Sequence, residues 1–140
     1  MYRRILVAIE NSAADQAVLD HIEALARLTG ASLLLVHVAD GWAARHFEDL
    51  KLRESEEIRT DRAYLDRICG DLCGRGMTCG VRLAMGDPAT ELVKVAVEED
   101  VDLIAMSTHG HRFLQDLLRG STADRVRHGV TVPVLMVRAK

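Results

Sequence analysis

The chain has 140 residues, 49% hydrophobic and 28% charged, with a formal net charge of -3; this is the balance of a soluble globular protein of one domain, residues 1–140, and it excludes a disordered chain. No apolar run approaches the roughly 20 residues of a spanning helix, and a slight acidic excess supplies no cluster of Lys and Arg for phosphate backbones, so neither a membrane nor a nucleic acid is expected as a partner. The opening MYRRILVAIE sets five apolar residues after two arginines, too short a core for secretion and without a small-residue cleavage site, which predicts a cytoplasmic protein.

RRILVAIE is a nearly continuous apolar run rich in β-branched residues, the pattern of a strand covered on both faces. The following NSAADQAVLDHIEALARLTG predicts a helix, with Ser12 as N-cap, Ala17, Ile22, Leu25 and Leu28 near helical spacing, and Gly30 as terminator. ASLLLVHV is a second buried strand. Residues 40–55, DGWAARHFEDLKLRES, show no clear period and form either a mobile loop or an extension of the second helix. That helix is expected over EEIRTDRAYLDRICGDLCGRG, followed by a strand in MTCGVRLAMG, a helix in DPATELVKVAVEED, a strand in VDLIAMS, a helix in TADRVRHG and a last strand in VPVLMVR. Five strands alternating with four helices predict a doubly wound α/β layer, a parallel sheet with right-handed crossovers and helices on both faces. In such sheets ligands gather beyond the carboxyl ends of the strands where strand order reverses, so the segments to inspect begin near Glu10, Val38, Gly86 and Ser107.

Cys69, Cys73 and Cys79 are an odd number of cysteines without an export signal, which argues against a disulfide framework. A soft metal site is the functional alternative. The simpler account is small buried hydrophobes, because Leu65, Ile68 and Leu72 share the face of Cys69 and Cys73, and Cys79 alternates with Met77, Val81 and Leu83.

In GDPATE, Asp87 stands at an N-cap position and Pro88 at the first helical one. Gly86 beside them would keep a pocket wall free of a Cβ. Gly120, Ser121 and Thr122 fall where the last helix begins, a place where free backbone N–H groups and the helix dipole attract an anion and hydroxyls add donors; helix capping is the competing role. His37, inside an apolar strand, is expected to be a hydrogen-bonded core residue. Trp42 and Phe47 are candidates for anchoring the irregular stretch to the core or lining a pocket, and His109 and His111 for a solvated loop pair. No Ser or Cys nucleophile has a recognisable partner.

STHG, nine residues, then GST resembles the nucleotide-loop signature of the universal stress protein family, G-x2-G-x9-G-[ST]. The likeness runs along essentially the whole chain: ILVAIENS is similar to the family's first strand and its Asp-Gly-Ser turn, LLLVHV to its second strand, GDPATEL to its third helix and VPVLMVR to its last strand. The resemblance implies a Rossmann-like sheet of order 3-2-1-4-5. It also implies a site for an adenine nucleotide: phosphates on Gly110, Gly120, Ser121 and Thr122, adenine at the backbone of Val38, and ribose on Glu10. His111, Arg112 and Arg119 are available to supply positive charge. The chain departs from the signature twice. Ser107 replaces the first glycine, adding a Cβ where close backbone approach is expected, and Glu10 stands where nucleotide-binding members carry Asp. Some branches of the family lack the loop and do not hold ATP.

These observations lead to the expectation of a cytoplasmic stress-response protein that binds ATP or another adenine nucleotide and signals to a partner protein through its bound state. The alternatives are an interaction module with an empty pocket and a slow ATPase, whose Mg2+ would need an acid such as Glu10 or Asp87. A homodimer through the last strand is also expected, since an apolar edge strand has to be covered or paired; Pro133, lacking an N–H, limits pairing at its start.

Overall fold

The computed structural model describes residues 1–39, 50–108 and 122–139, the side chains of 50–55 excepted. Its elements are β1 (Arg4–Ala8), α1 (Asp15–Thr29), β2 (Ser32–Ala39), α2 (Leu50–Gly74), β3 (Cys79–Met85), α3 (Pro88–Glu98), β4 (Leu103–Thr108), α4 (Thr122–Gly129) and β5 (Val134–Arg138). The strands form one parallel sheet of order β3-β2-β1-β4-β5. The expected doubly wound architecture and strand order are thus observed. Residues 50–55 continue α2, so this part of the aperiodic stretch extends the second helix.

β1 is central because its middle is apolar on both faces: Ile5, Leu6 and Val7 are fully buried. Successive side chains of a strand point to opposite faces, and the two cores divide accordingly. Ile5, Val7, Leu33 and Leu35 join Val18 and Ile22 of α1 and Leu65 and Leu72 of α2. Leu6, Leu34, Val36 and Ile104 join Leu92 and Val95 of α3 and Val126 of α4 on the other face. Each fully buried Leu or Ile contributes about 1.5–3 kcal/mol, so losing one central residue removes much of a typical net stability of about 5–15 kcal/mol. No helix among the described residues is long and apolar enough to cross a membrane.

The start of α1 corrects one expectation. Its N-cap is Ala14, which makes no side-chain cap, rather than Ser12. The Ser12 hydroxyl instead accepts from the Ala14 amide at 3.2 Å, capping the turn before the helix. The physical reason is Asp15. Its buried carboxylate accepts the amides of Glu10, Asn11 and Ser12 at 2.9, 2.8 and 3.1 Å, folding the β1–α1 loop back on the first helical residue. Asn11 takes a left-handed φ of 63° to make this closure. At the other end Gly30 terminates α1 as expected, with φ 75° and its N–H on the Ala26 carbonyl.

Candidate functional site

Strand order reverses between β1 and β4: α1 and α2 cover one face of the sheet, and α3 and α4 the other. The segments leaving β1 and β4 therefore part in opposite directions and open a crevice. A cavity of about 260 Å3 lies there, lined by Ala8, Ile9 and Glu10 after β1, Val36, His37 and Val38 of β2, Met106 and Ser107 of β4, Pro88 and Leu92 of α3, and Thr122 and Ala123 of α4. Of the positions singled out from sequence, the fold brings Glu10, Val38, Ser107 and Thr122 to this one cavity. Gly110, His111, Arg112, Gly120 and Ser121, with Arg119, His109, Trp42 and Phe47, lie outside the described residues.

Gly86 is not part of the lining. A Cβ there would meet the Glu91 side chain, with Oε1 at 3.2 Å and Cγ at 3.3 Å, and its φ of 136° is one that only glycine adopts without strain. Its observed role is to turn the chain from β3 into α3. Asp87 next to it is the N-cap of α3, accepting from the Thr90 amide at 3.0 Å and the Thr90 hydroxyl at 2.7 Å. Arg125 of α4 grips the same carboxylate through two guanidinium nitrogens at 3.0 and 2.7 Å, tying together the starts of the two helices that wall the cavity. The hydrogen bonds from Arg125, followed by those from Thr90, hold the Asp87 carboxyl well below the usual carboxylate range. The first turn of α3 thus has an internal anion, whereas Thr122, at the start of α4, faces the cavity.

Ser107 is 5% exposed, and its hydroxyl has no hydrogen-bond partner among the described residues. Glu10 is exposed and accepts from the Ser12 hydroxyl at 3.3 Å. His37 is a hydrogen-bonded strand residue as expected, but its contacts reach beyond the strand. Nδ1 lies 2.8 Å from the Ile9 carbonyl and Nε2 3.0 Å from the Asp61 carboxylate.

Three residues that hold the β1–α1 loop are not among the candidates marked by the sequence: Asp15, Asp61 and Tyr64. Asp61 and Tyr64, one turn apart on α2, reach the β1–α1 loop: Asp61 accepts from the Asn11 amide group at 3.1 Å, and the Tyr64 hydroxyl donates to Asp15 at 2.7 Å. Burial first, and the Asp15 carboxylate second, push the Tyr64 phenol far above its ordinary range. Asp15 itself carried a signal, since Ser12 and Asp15 have the Ser-x-x-Asp spacing of a capping box. Asp61 and Tyr64 lie about fifty residues from their partners and carried none.

The cysteines are free and gather where α2 meets β3. Cys69 and Cys73 both donate to the Cys79 carbonyl, at 3.1 and 3.8 Å. Burial raises the Cys79 thiol above the usual range, and Cys69 moves the same way for the same leading reason. Cys69 and Cys79 pack against the α1/α2 core with Met77, Val81 and Leu83, while Cys73 is exposed. Among the described residues no group of three or more His, Cys, Asp or Glu is arranged to hold a metal ion.

Comparison with known proteins agrees with this geometry. A sequence model of the universal stress protein family matches residues 1–138. The universal stress protein MJ0577 of Methanocaldococcus jannaschii is 28% identical over 160 aligned positions that take in 100% of this chain and 97% of that protein. A solved structure of MJ0577 gives a TM-score of 0.85, covering 100% of this chain and 98% of its own. A universal stress protein of Methanothermobacter thermautotrophicus is 30% identical, with 99% of this chain and 97% of that protein aligned. The universal stress protein of Archaeoglobus fulgidus in complex with dAMP shares the fold at a TM-score of 0.71 and 23% identity, covering 97% of this chain and 98% of its own.

Proposed function

The chain belongs to the universal stress protein family, and on that premise we propose that it binds an adenine nucleotide, ATP or a close relative, in the cavity beyond β1, β2 and β4, and acts as a nucleotide-dependent regulatory dimer in the cytoplasm. The observation that carries this reading is the Ser107 hydroxyl, buried at the strand-order reversal without a partner among the described residues. An unpaired buried hydroxyl costs about 1–3 kcal/mol, which a ligand oxygen accepting its proton would remove. The rest of the lining suits a nucleoside phosphate. Val36, Val38, Met106 and Leu92 offer apolar surface to a base, and Glu10 stands at the rim for a ribose hydroxyl. Thr122 opens α4 with the donors and dipole direction that favour phosphate. The dAMP complex of the Archaeoglobus fulgidus protein supports the purine assignment as an analogy of fold.

In this reading the phosphates extend from Thr122 toward Gly110, Gly120 and Ser121, with His111 and Arg112 supplying charge, and Mg2+ accompanies ATP. Dimerisation through β5 covers the edge of the sheet, where Met136 is partly exposed. Occupancy of the cavity selects a state that a partner protein recognises, without rapid turnover.

The test is mass spectrometry of whatever freshly purified protein releases on denaturation, together with calorimetric titration by ATP, ADP and AMP. Release of an adenine nucleotide, or saturable binding of one, is expected. The absence of both release and binding overturns the proposal and leaves an interaction module. Gly120→Val is expected to abolish retention in a folded protein; unchanged binding by that variant removes Gly120 from the phosphate site.

A further inference from the structure

His37 touches two groups that both accept hydrogen bonds. The Ile9 carbonyl has no proton to give, so Nδ1 must donate to it at 2.8 Å. On the other side of the ring, Nε2 is 3.0 Å from the Asp61 carboxylate. A neutral imidazole has one N–H and cannot donate in both directions, and an ionised carboxylate cannot donate at all. Both contacts exist together only if the pair holds one proton more than a neutral ring and a carboxylate: either the ring is an imidazolium or Asp61 is protonated. With that proton gone, one contact has to open. The ring either keeps Ile9 and sets a lone pair against Asp61, or keeps Asp61 and sets a lone pair against the Ile9 carbonyl.

Both contacts lead to the same place. Ile9 immediately precedes Glu10, and the second oxygen of Asp61 accepts from the side-chain amide of Asn11, the left-handed residue of the loop. His37 and Asp61 are largely buried, with side chains 13% and 8% exposed, so water is a poor substitute for a lost partner. The other titratable groups of this clasp among the described residues are Tyr64 from α2, Asp15 at the start of α1 and Glu10 after β1.

We propose that His37 and Asp61 are positioning residues that share one proton, and that this proton pins the Ile9–Asn11 end of the cavity, making nucleotide affinity fall as pH rises and the proton leaves. The inference rests on the nucleotide reading for its affinity readout, but the clasp can be tested without a ligand. Asp61→Asn is the discriminating variant. Its amide donates to Nε2 of a neutral ring that keeps Nδ1–H on Ile9, while its carbonyl still accepts from Asn11, so the clasp closes without the extra proton.

The experiment follows the backbone amides of Glu10 and Asn11 by NMR, and ATP affinity by calorimetry, in the full-length wild type and Asp61→Asn from pH ~5 to ~9, the range in which an imidazole ordinarily changes charge. In the wild type, the amides are expected to shift through one transition, with ATP about tenfold weaker on its high-pH side, the worth of one charge-assisted hydrogen bond. In Asp61→Asn both the amide transition and the loss of affinity are expected to vanish. A merely structural Asp61 predicts uniform weakening with the wild-type pH profile retained, which overturns the proposal. So does a wild type whose loop amides show no transition. If ATP binds neither protein at any pH, the nucleotide reading fails, and the amide transition alone decides whether the proton clasp exists.

Discussion

Replacing Ser107 by alanine removes one oxygen and keeps the Cβ, which gives the change opposite effects on the free and liganded protein. In the free protein the hydroxyl is buried with no partner among the described residues. Deleting it removes a desolvation cost of about 1–3 kcal/mol. The void left by one oxygen, on the order of 10–15 Å3, returns a penalty of only about 0.3 kcal/mol. Alanine also accepts the strand geometry of position 107, which is paired with Val137 of β5. The net expectation is a free protein more stable by about 1 kcal/mol, or about 3–4 °C in melting temperature for a domain of this size. In the complex the variant lacks a hydrogen bond to the nucleotide, worth about 1.5 kcal/mol if the acceptor is a charged phosphate oxygen, so affinity falls about tenfold. Urea unfolding of nucleotide-free protein and calorimetric titration with ATP at one salt concentration measure the two effects. An alanine variant less stable than wild type by 1 kcal/mol or more shows that the hydroxyl has a partner in the free protein. Wild-type affinity in the variant shows that the hydroxyl does not meet the ligand. Ser107→Gly, which also removes the Cβ, then separates the two features of the side chain: tighter binding by glycine than by alanine means that the Cβ crowds the nucleotide.

Asp87→Ala is expected to cost about 1 kcal/mol at neutral pH through loss of the α3 cap; its exposed Arg125 pair adds little in salt. Because the folded state depresses the Asp87 carboxyl, the wild-type advantage is full above pH ~4, where the unfolded carboxylate is ionised, and is lost as pH falls below it. Unfolding curves of both proteins at several pH values check this, and a gap that widens toward acid contradicts it. Gly86→Ala is expected to cost more than about 1 kcal/mol through its φ of 136° and the Glu91 contact. Adding Glu91→Ala should recover only the contact, so a double variant as stable as Glu91→Ala alone shows that the backbone is unstrained. Tyr64→Phe removes the 2.7 Å donor to the Asp15 carboxylate and is expected to destabilise by about 1.5 kcal/mol in urea unfolding; a change within 0.5 kcal/mol means water replaces the phenol without loss.

Much of the fold was legible because it depends on local pattern. An apolar run such as Ile5–Val7, rich in β-branched residues and buried in the middle of Arg4–Ala8, has the pattern of an interior strand, and its alternation with amphipathic segments such as α1 leaves few arrangements besides a parallel sheet with helices on both faces. Gly30 and Asp87 marked helix ends because termination and capping are decided within a few residues. Glu10, Val38, Ser107 and Thr122 were legible as candidates through their positions at strand and helix ends, and the fold brings them to one cavity. What the sequence could not specify is how those groups are satisfied. Gly86 belongs to a turn packed on Glu91 rather than to the cavity wall, since its surroundings depend on a side chain five residues along the next helix. Ser12 was displaced from its capping role by the Asp15 carboxylate that gathers the loop amides. The His37–Asp61 and Asp15–Tyr64 contacts join groups 24 and 49 residues apart in the chain. No propensity or spacing encodes such pairs, because the energy of a buried polar group depends on what lies opposite it in space, and only the packing of α2 on β2 and β3, beside the β1–α1 loop, decides that.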